Sequence, residues 1–417
     1  MATSLRSPSS VALPPTVVAP ARDRGRLLVA IYTNPDYYPV AISAVRMLAA
    51  HFRTMVVCRN TAGPRAVWPC GVTIDRVGPR RTPAESEHAS SLAKVAEYVR
   101  FVRHVRRAVA QDQPRLIYAY DPLGFAAVLL AAKRGAPPII FHCHDLPKLE
   151  RMGALSFQTW PIKYALSRTS RAQFVVFPEK YRAAYWLERA RDSRPPMIVP
   201  NGARSDFFDA PSDWNALIAS RFAGRRVLYM SSMGPENGQQ EAIRAAALAN
   251  SGWRMTLIGN SAPEFRSELE REARALGLED RVAVAGWVEE TERMELLRRA
   301  AIGLVLYKPV SRNWEYSGSA PMKLFEYAAS GLPVIVPDRP SYREFFADEQ
   351  WVVYAAADEP ASIARAIDSV LADRERYAAM SVAARDAHER KHNYETVFQP
   401  VLARIEELAA APPGVRI

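Results

Sequence analysis

Residues 308–337 read KPVSRNWEYSGSAPMKLFEYAASGLPVIVP, and the punctuation of this stretch decides the architecture. A polar run holding Ser317, Gly318 and Ser319 leads into a helical segment, 321–330, with Pro321 in its first turn, where a missing N–H costs nothing. Gly331 stops the helix, and the apolar run 334–336 reads as a buried strand. With a strand at 302–306 just ahead, this is a strand–helix–strand unit, the repeating element of a parallel sheet.

The same alternation continues outward. In the second half, strands 227–230, 254–258 and 282–285 alternate with helices 239–249, 265–276 and 291–300; helices 361–372, 374–388 and about 394–408 close the chain. In the first half, strands 27–32, 55–58, 72–77, 115–120, 139–142, 173–177 and 197–199 accompany helices 42–51, 91–111 and 125–134, the last stopped by Gly135. Pro200-Asn201-Gly202 interrupts the series, and a loop-like stretch runs from there to Gly224. A chain of 417 residues exceeds the roughly 250–300 at which single cores stop growing. The expected division is a Pro- and Ser-rich lead-in over 1–25, Rossmann-like units over 26–205 and 206–393, and a helix and tail over 394–417, the helix crossing back to the first unit. Ligands of open parallel sheets gather beyond the carboxyl ends of the strands, so two facing units would line a cleft.

Composition narrows the classes. No apolar run approaches the ~20 residues of a membrane span, and the N-terminal 26 residues lack the apolar core of a secretory signal. Three cysteines, Cys58, Cys70 and Cys143, show no ligand spacing and suit a reducing cytoplasm. A net charge of +11 favours an anionic partner: a nucleotide, an acidic lipid surface or a nucleic acid. No nucleic-acid motif accompanies the charge. No Gly-x-Gly-x-x-Gly follows 27–32 or 227–230, which argues against a nicotinamide dehydrogenase.

The helix at 321–330 is the strongest site candidate. Its free amides and dipole suit a diphosphate, and Lys323 and Glu326, three apart, share a face that tilts back toward that end. At ~1.5 Å per residue Glu326 lies roughly 8–10 Å from the helix start, the span from a pyrophosphate to the far edge of its ribose. A carboxylate there can accept from both ribose hydroxyls while Lys323 neutralises phosphate. The plainer alternative is a surface ion pair worth roughly 0.3–0.5 kcal/mol.

The run PMKLFEYAASGLPVIVPD resembles the donor-site helix of the large retaining GT-B glycosyltransferase family that includes bacterial sucrose, mannosyl and capsule-building transferases (family 4), above all a subgroup whose helix reads Ser-Pro-x-Lys-Leu-Phe-Glu-Tyr. Weaker echoes over residues 26 to about 405 are HDLP, VPNG, LYMSSMGPENG and VAVAGWV. The resemblance implies an α/β GT-B fold of two facing Rossmann-like domains with an interdomain cleft. It implies retaining transfer from a nucleotide-diphosphate sugar to a hydroxyl acceptor in cell-surface polysaccharide, glycolipid or glycoconjugate synthesis. On the donor side it points to Glu326 as ribose ligand, with Ser319, Met322, Lys323, Ser232 and Gly234 about the diphosphate and Trp287 and Val288 beside the base; a Trp filling the core is the alternative for Trp287. Two departures stand out. The first carboxylate of the family's Glu-x7-Glu pair would fall at Gly318, and the two cations that grip the diphosphate are replaced by Ser232 and Asn237. Lys323, with Lys308 or Arg312, is left to balance the charge.

On the acceptor side the resemblance places His144 to polarise the attacking hydroxyl, with Asn34, Asp121 and Asp145 at neighbouring strand ends. His144 capping a turn and Asp121 forming an Asp-Pro turn are the structural alternatives. His142-Cys143-His144-Asp145 lacks a third well-spaced metal ligand, and no Asp-x-Asp occurs in the chain, so neither metal nor cofactor is expected. The helix at 91–111 carries Leu92, Val95, Val99 and Val102 on one face and Arg100, Arg103, Arg106 and Arg107 on another. Packing on the sheet explains it, and so does contact with an anionic membrane at the inner face, which suits a lipid-linked acceptor. A non-catalytic nucleotide-sugar-binding homologue and a nucleotide-sugar 2-epimerase are the competing functions.

Overall fold

A computed structural model describes residues 25–63, 65–132, 136–147 and 156–411. The expected lead-in before Gly25, the end of the helix read at 125–134 with its Gly135 stop, and the last six residues lie outside them. The described residues divide into two compact units, one holding 201–396 and the other those from 25 to 200 together with 397–411. The C-terminal helix Tyr394–Ala410 therefore ends in the N-terminal unit, where Glu406 pairs with His51 at 2.7 Å and Phe398 packs near Tyr118.

The N-terminal unit is built on seven parallel strands: β1 (Arg26–Ile31), β2 (Arg53–Thr61), β3 (Val72–Arg81), β4 (Leu116–Tyr120), β5 (Ile139–His142), β6 (Phe174–Phe177) and β7 (Met197–Ile198), in the order β3-β2-β1-β4-β5-β6-β7. The C-terminal unit has six: β8 (Arg226–Met230), β9 (Arg254–Ile258), β10 (Val282–Gly286), β11 (Ile302–Leu304), β12 (Val334–Pro337) and β13 (Val352–Ala355), in the order β10-β9-β8-β11-β12-β13. Both are doubly wound, and the winding reverses between β1 and β4 in one and between β8 and β11 in the other. Those two crevices are where ligands of such sheets bind.

Several elements differ from the sequence reading. The stretch before Gly224 is not loop-like throughout: Trp214–Gly224 is a helix, its N-terminus capped by the Asp213 carboxylate on the Ala216 amide. Helices Thr159–Ser167, Lys180–Ala190 and Pro340–Phe345 and strand β13 carry too short or too mixed an apolar pattern to stand out. Residues 201–203 join the C-terminal unit because Asn201 donates from its amide to Ser319 O (3.1 Å) and from its side chain to Ala320 O (2.7 Å), while Tyr394 N–H donates to Ala203 O.

The helix read at 321–330 spans Met322–Ala329, with Pro321 one position earlier, as its N-cap. Tyr327 fixes it to the sheet. Its ring covers Gly303 of β11, and its hydroxyl accepts from Met230 N–H (2.8 Å) and donates to Leu228 O (3.1 Å) of β8. A Cβ at residue 303 would overlap that ring. Gly303→Ala is expected to cost the C-terminal unit about 1–3 kcal/mol by overpacking, read as a drop of several degrees in Tm.

Candidate functional site

The β8–β11 crevice gathers most of the C-terminal candidates. After β8 the chain forms a tight loop to the helix Gln239–Ala247, and two side-chain amides knit it: Asn237 Nδ2 (2.8 Å) and Gln239 Nε2 (2.9 Å) both donate to Ser232 O. Asn237, at a position where the family resemblance expects a cation, is thus a buried staple, while Ser232 stands exposed. Gly238 needs its glycine, holding φ at 68° with Leu306 O only 2.5 Å from where a Cβ would sit. Gly234 N–H turns toward Gln239 Oε1 (3.4 Å). Lys308, beyond β11, joins the two loops by donating to Glu236 O, but its ammonium is taken by Glu241 at 2.6 Å. Arg312 is likewise paired with Glu315 at 2.5 Å. Neither of these two expected cations offers a bare charge.

The helix Met322–Ala329 answers this shortage. Leu324 N–H folds back onto Pro321 O, so Met322 and Lys323 supply the orphan amides of the first turn. Lys323 is half-buried, its ammonium 4.8 Å from the Tyr307 ring centroid, and burial pulls its pKa down to about 7 against the pull of Glu326. Ser319, buried just upstream, gives its carbonyl to Asn201.

Glu326 is not part of a surface pair with Lys323. It is 4% exposed, and its Oε1 accepts from Arg293 Nη1 at 2.8 Å. Arg293 also reaches Glu290 (2.7 Å) and lies over the Phe207 ring. Oε1 is the engaged oxygen; the second oxygen of Glu326 has no hydrogen-bond partner among the described residues. Arg293 escaped the sequence reading because it sits in the charged run ETERMELLRR, which looks like an ordinary solvated helix face. The missing acidic partner at Gly318 has a steric cause: a Cβ there would overlap Ser341 O. Trp287, at the end of β10, is 67% exposed, which overturns the core alternative for it; half-buried Val288 follows, and the helix Glu290–Arg299 then carries Arg293 to Glu326.

In the N-terminal unit, β4 and β5 bring Asp121, His144 and Asp145 together. Asp121 opens the helix Asp121–Ala131 with φ at 54°, a left-handed conformation uncommon outside glycine, instead of forming a separate turn. Its Oδ1 accepts from His144 N–H at 2.9 Å, and burial, then the charge of Asp145, lifts its pKa to about 7. The His144 ring caps nothing. It stacks on Tyr120 (centroids 5.0 Å apart) and His142 (4.2 Å), both ring nitrogens lack a hydrogen-bond partner among the described residues, and burial lowers its pKa to about 4. Arg182, unmarked in the sequence, grips His144 O (2.6 Å) and Asp145 (3.0 Å), and Tyr38 OH donates to Asp145 (3.1 Å) with its ring 5.5 Å from that of His144. Asn34 lies on the loop after β1; its Oδ1 accepts from Asp36 N–H, and its buried Nδ2 has no partner among the described residues. A cavity of about 440 Å³ opens there, lined by Asn34, Tyr38, Tyr32, Arg59, Lys94 and Phe157 among others.

Removing Arg293 would strand a buried carboxylate. Arg293→Ala is expected to destabilise the protein by roughly 2–3 kcal/mol, below the ceiling for a fully buried pair because the arginine is partly exposed. Adding Glu326→Gln should recover most of that loss in denaturant titrations; a second, additive loss would show that the pair is not coupled.

Comparison with known proteins fits this geometry. Residues 40–202 match the family model described as glycosyl transferase 4-like domain, and residues 222–387 match glycosyl transferases group 1. No curated protein sequence matches the chain. Among solved structures, HepE from Anabaena in complex with UDP aligns at TM-score 0.68 and 16% identity over 92% of this chain and 100% of its own. Sucrose-phosphate synthase from Thermosynechococcus elongatus aligns at 0.73 and 17%, over 93% and 100%. A Listeria monocytogenes protein described as a UDP-N-acetylglucosamine 2-epimerase aligns at 0.58 and 13%, over 92% and 96%. At these identities the structural likeness shows the GT-B fold, which hosts more than one reaction.

Proposed function

We propose, from the premise that both halves of the chain carry glycosyltransferase domains on a GT-B fold, that the protein moves a sugar from a nucleotide-diphosphate sugar to a hydroxyl acceptor, with retention at the anomeric carbon and without a metal. The observation that carries the reading is the eight-residue helix Met322–Ala329 at the β8–β11 crevice: orphan amides and Lys323 at its start, and a buried carboxylate held by Arg293 one turn later. HepE, of the same fold, has been solved with UDP-glucose, which supports a donor of that class.

In this reading the diphosphate lies against the amides of Met322 and Lys323, close to Ser319 and the Ser232–Gly234 loop. The free oxygen of Glu326 accepts from ribose, and Trp287 and Val288 border the base. As the bond from the anomeric carbon to phosphate loosens, negative charge grows on the leaving oxygen, and the Lys323 ammonium with the helix amides stabilises it. The acceptor hydroxyl binds in the N-terminal unit. His144, neutral at pH 7 with unpartnered nitrogens, can accept its proton in a hydrogen bond without ionising. The proton then passes to the departing phosphate oxygen on the same face. Retention, metal independence and a role in cell-surface polysaccharide, glycolipid or glycoconjugate synthesis rest on the resemblance of the 321–330 segment and on the lack of Asp-x-Asp. A cytoplasmic setting rests on three free cysteines.

One observation favours a second reading, a homologue that binds a nucleotide sugar without turning it over: Ser232 and Asn237 are uncharged, and Lys308 and Arg312 are spent on Glu241 and Glu315. Incubation with a panel of nucleotide sugars and acceptor extracts separates the two. The transferase reading expects a glycosylated product whose anomeric configuration by NMR matches the donor; binding with no product sinks it.

Lys323 gives the donor site a pH signature. Its ammonium is half charged near pH 7 in the free protein, nearly all charged a unit below and mostly neutral a unit above, so nucleotide-sugar affinity is expected to level off toward lower pH and to fall up to tenfold per unit on the alkaline side. Calorimetry from pH 6 to 9 should show proton uptake on binding. Lys323→Met should bind more weakly and lose the slope.

A further inference from the structure

The cavity of about 440 Å³ in the N-terminal unit lies at the carboxyl ends of β1 and β2, where ligands of parallel sheets gather. Its volume falls within the roughly 300–1,000 Å³ of small-molecule sites. Its lining is rich in donors. Arg59 and Lys94 bring two cations, Asn34 an amide, and Thr61 and Ser86 hydroxyls, while none of the described residues around it is acidic.

Two of these donors are built in place and left unpartnered. Arg59 Nη2 donates to Glu97 at 3.1 Å, and the guanidinium lies over the Tyr32 ring, 5.1 Å from its centroid. Tyr98 and Phe101, on the helix Ser91–Asp112, hold that ring edge-on at 5.0 and 5.1 Å, so the platform beneath the guanidinium is fixed. Arg59 Nε and Nη1 have no hydrogen-bond partner among the described residues. Glu97 does not cancel the charge, because Arg81 shares the same carboxylate: two cations face one anion. Asn34 is 3% exposed, and its Oδ1 accepts from Asp36 N–H at 3.1 Å, a bond that also tells its oxygen from its nitrogen. Its Nδ2 is buried with no partner among the described residues. A buried donor without an acceptor costs stability, which a ligand atom there would restore.

A neutral sugar offers hydroxyls that both give and take hydrogen bonds, and its sites supply acceptors as well as donors. A carboxylate or phosphate oxygen only accepts, and its bonds to a guanidinium are charge-assisted. Unpartnered donors, surplus positive charge and a lining free of carboxylates match the second. Tyr38 joins this cavity to the candidate histidine, since it lines the one while its ring lies 5.5 Å from that of His144. We propose that the cavity binds an anionic group, a carboxylate or a phosphate, through the Arg59 guanidinium and the Asn34 amide, and that the acceptor is a sugar acid or sugar phosphate whose hydroxyl reaches His144. Anion binding stands on the cavity alone; only the assignment of the anion to the acceptor rests on the transferase reading.

Calorimetry on the full chain, with and without UDP, tests this against glucuronate, glucose 6-phosphate, inorganic phosphate and glucose. The anions should bind and glucose should not, with affinity falling as salt is raised. The tighter of the two charged sugars tells carboxylate from phosphate. Asn34→Asp keeps the oxygen that accepts from Asp36 N–H but turns the donor into a charged acceptor, and should weaken anion binding roughly tenfold or more. Arg59→Gln should do the same with Tm held, because Glu97 keeps its bond to Arg81. Failure of every anion to bind, or anion affinity that Arg59→Gln leaves intact, overturns the proposal. Thermal shift with the nucleotide-sugar panel keeps the two claims apart: anion binding without any donor response refutes the transferase reading alone, and a donor response without anion binding refutes the cavity assignment alone.

Discussion

Everything in the C-terminal unit turns on where one phenol hydroxyl finds its partners. Tyr327 places its ring on the bare backbone of Gly303 in β11 and bonds through its hydroxyl to Met230 and Leu228 of β8, the two strands between which the winding reverses. Ladder bonds cannot orient a helix above a crevice; a buried, doubly bonded hydroxyl can, because leaving those backbone groups unpaired would cost roughly 1–3 kcal/mol. With Tyr327 pinned, Glu326 beside it meets Arg293, and Lys323 one turn earlier comes to rest over Tyr307. The charged groups inherit their positions from an uncharged anchor.

That anchor also explains how the site can lack the charges expected of it. Asn237 and Gln239 tie the β8 loop down by hydrogen bonds, a job that a long cation would do poorly. Gly318 lies so close to the Ser341 backbone that no carboxylate fits. Set against the expected pattern, Ser232 and Asn237 remove two positive charges and Gly318 removes one negative charge, so the net deficit along the helix start is one positive charge rather than two. Arg293 completes the balance by pairing with Glu326, which leaves the lysine and the amides as the positive pole of the crevice.

How much of this was legible in the sequence follows from which forces are local. Both parallel sheets were readable because their buried strands are continuous apolar runs punctuated by glycine and proline, as in LLVAIY, LIYAY and LPVIVP. Helix Trp214–Gly224 and strand β13 were not, since their stability comes from packing partners distant in the chain. Lys323 and Glu326 announced themselves by spacing on one helix. Arg293, 33 residues away from Glu326, and Arg182, 38 from His144, join the candidate sites only through tertiary contact, and no local pattern marks them. Helix 91–112 shows the limit most clearly: its periodicity contains two apolar stripes, and only the larger side chains Tyr98 and Phe101 reveal, once folded, which of them faces the core.

The N-terminal unit solves a different electrostatic problem. Its candidate histidine is buried among aromatic rings, where ionisation is penalised, and its backbone rather than its imidazole is held in place, by Asp121 on the amide and Arg182 on the carbonyl. A histidine fixed through its main chain keeps both ring nitrogens uncommitted, which is the state a hydroxyl-bearing ligand requires and which a side-chain hydrogen bond would destroy. The left-handed φ of Asp121 is intelligible in the same terms: helix Asp121–Ala131 must begin at that residue for its carboxylate to reach the His144 amide, and the backbone strain is the cost of that alignment. The two units thus use opposite means. One gathers positive charge at a helix start, and the other keeps an imidazole neutral by burying it among aromatic rings.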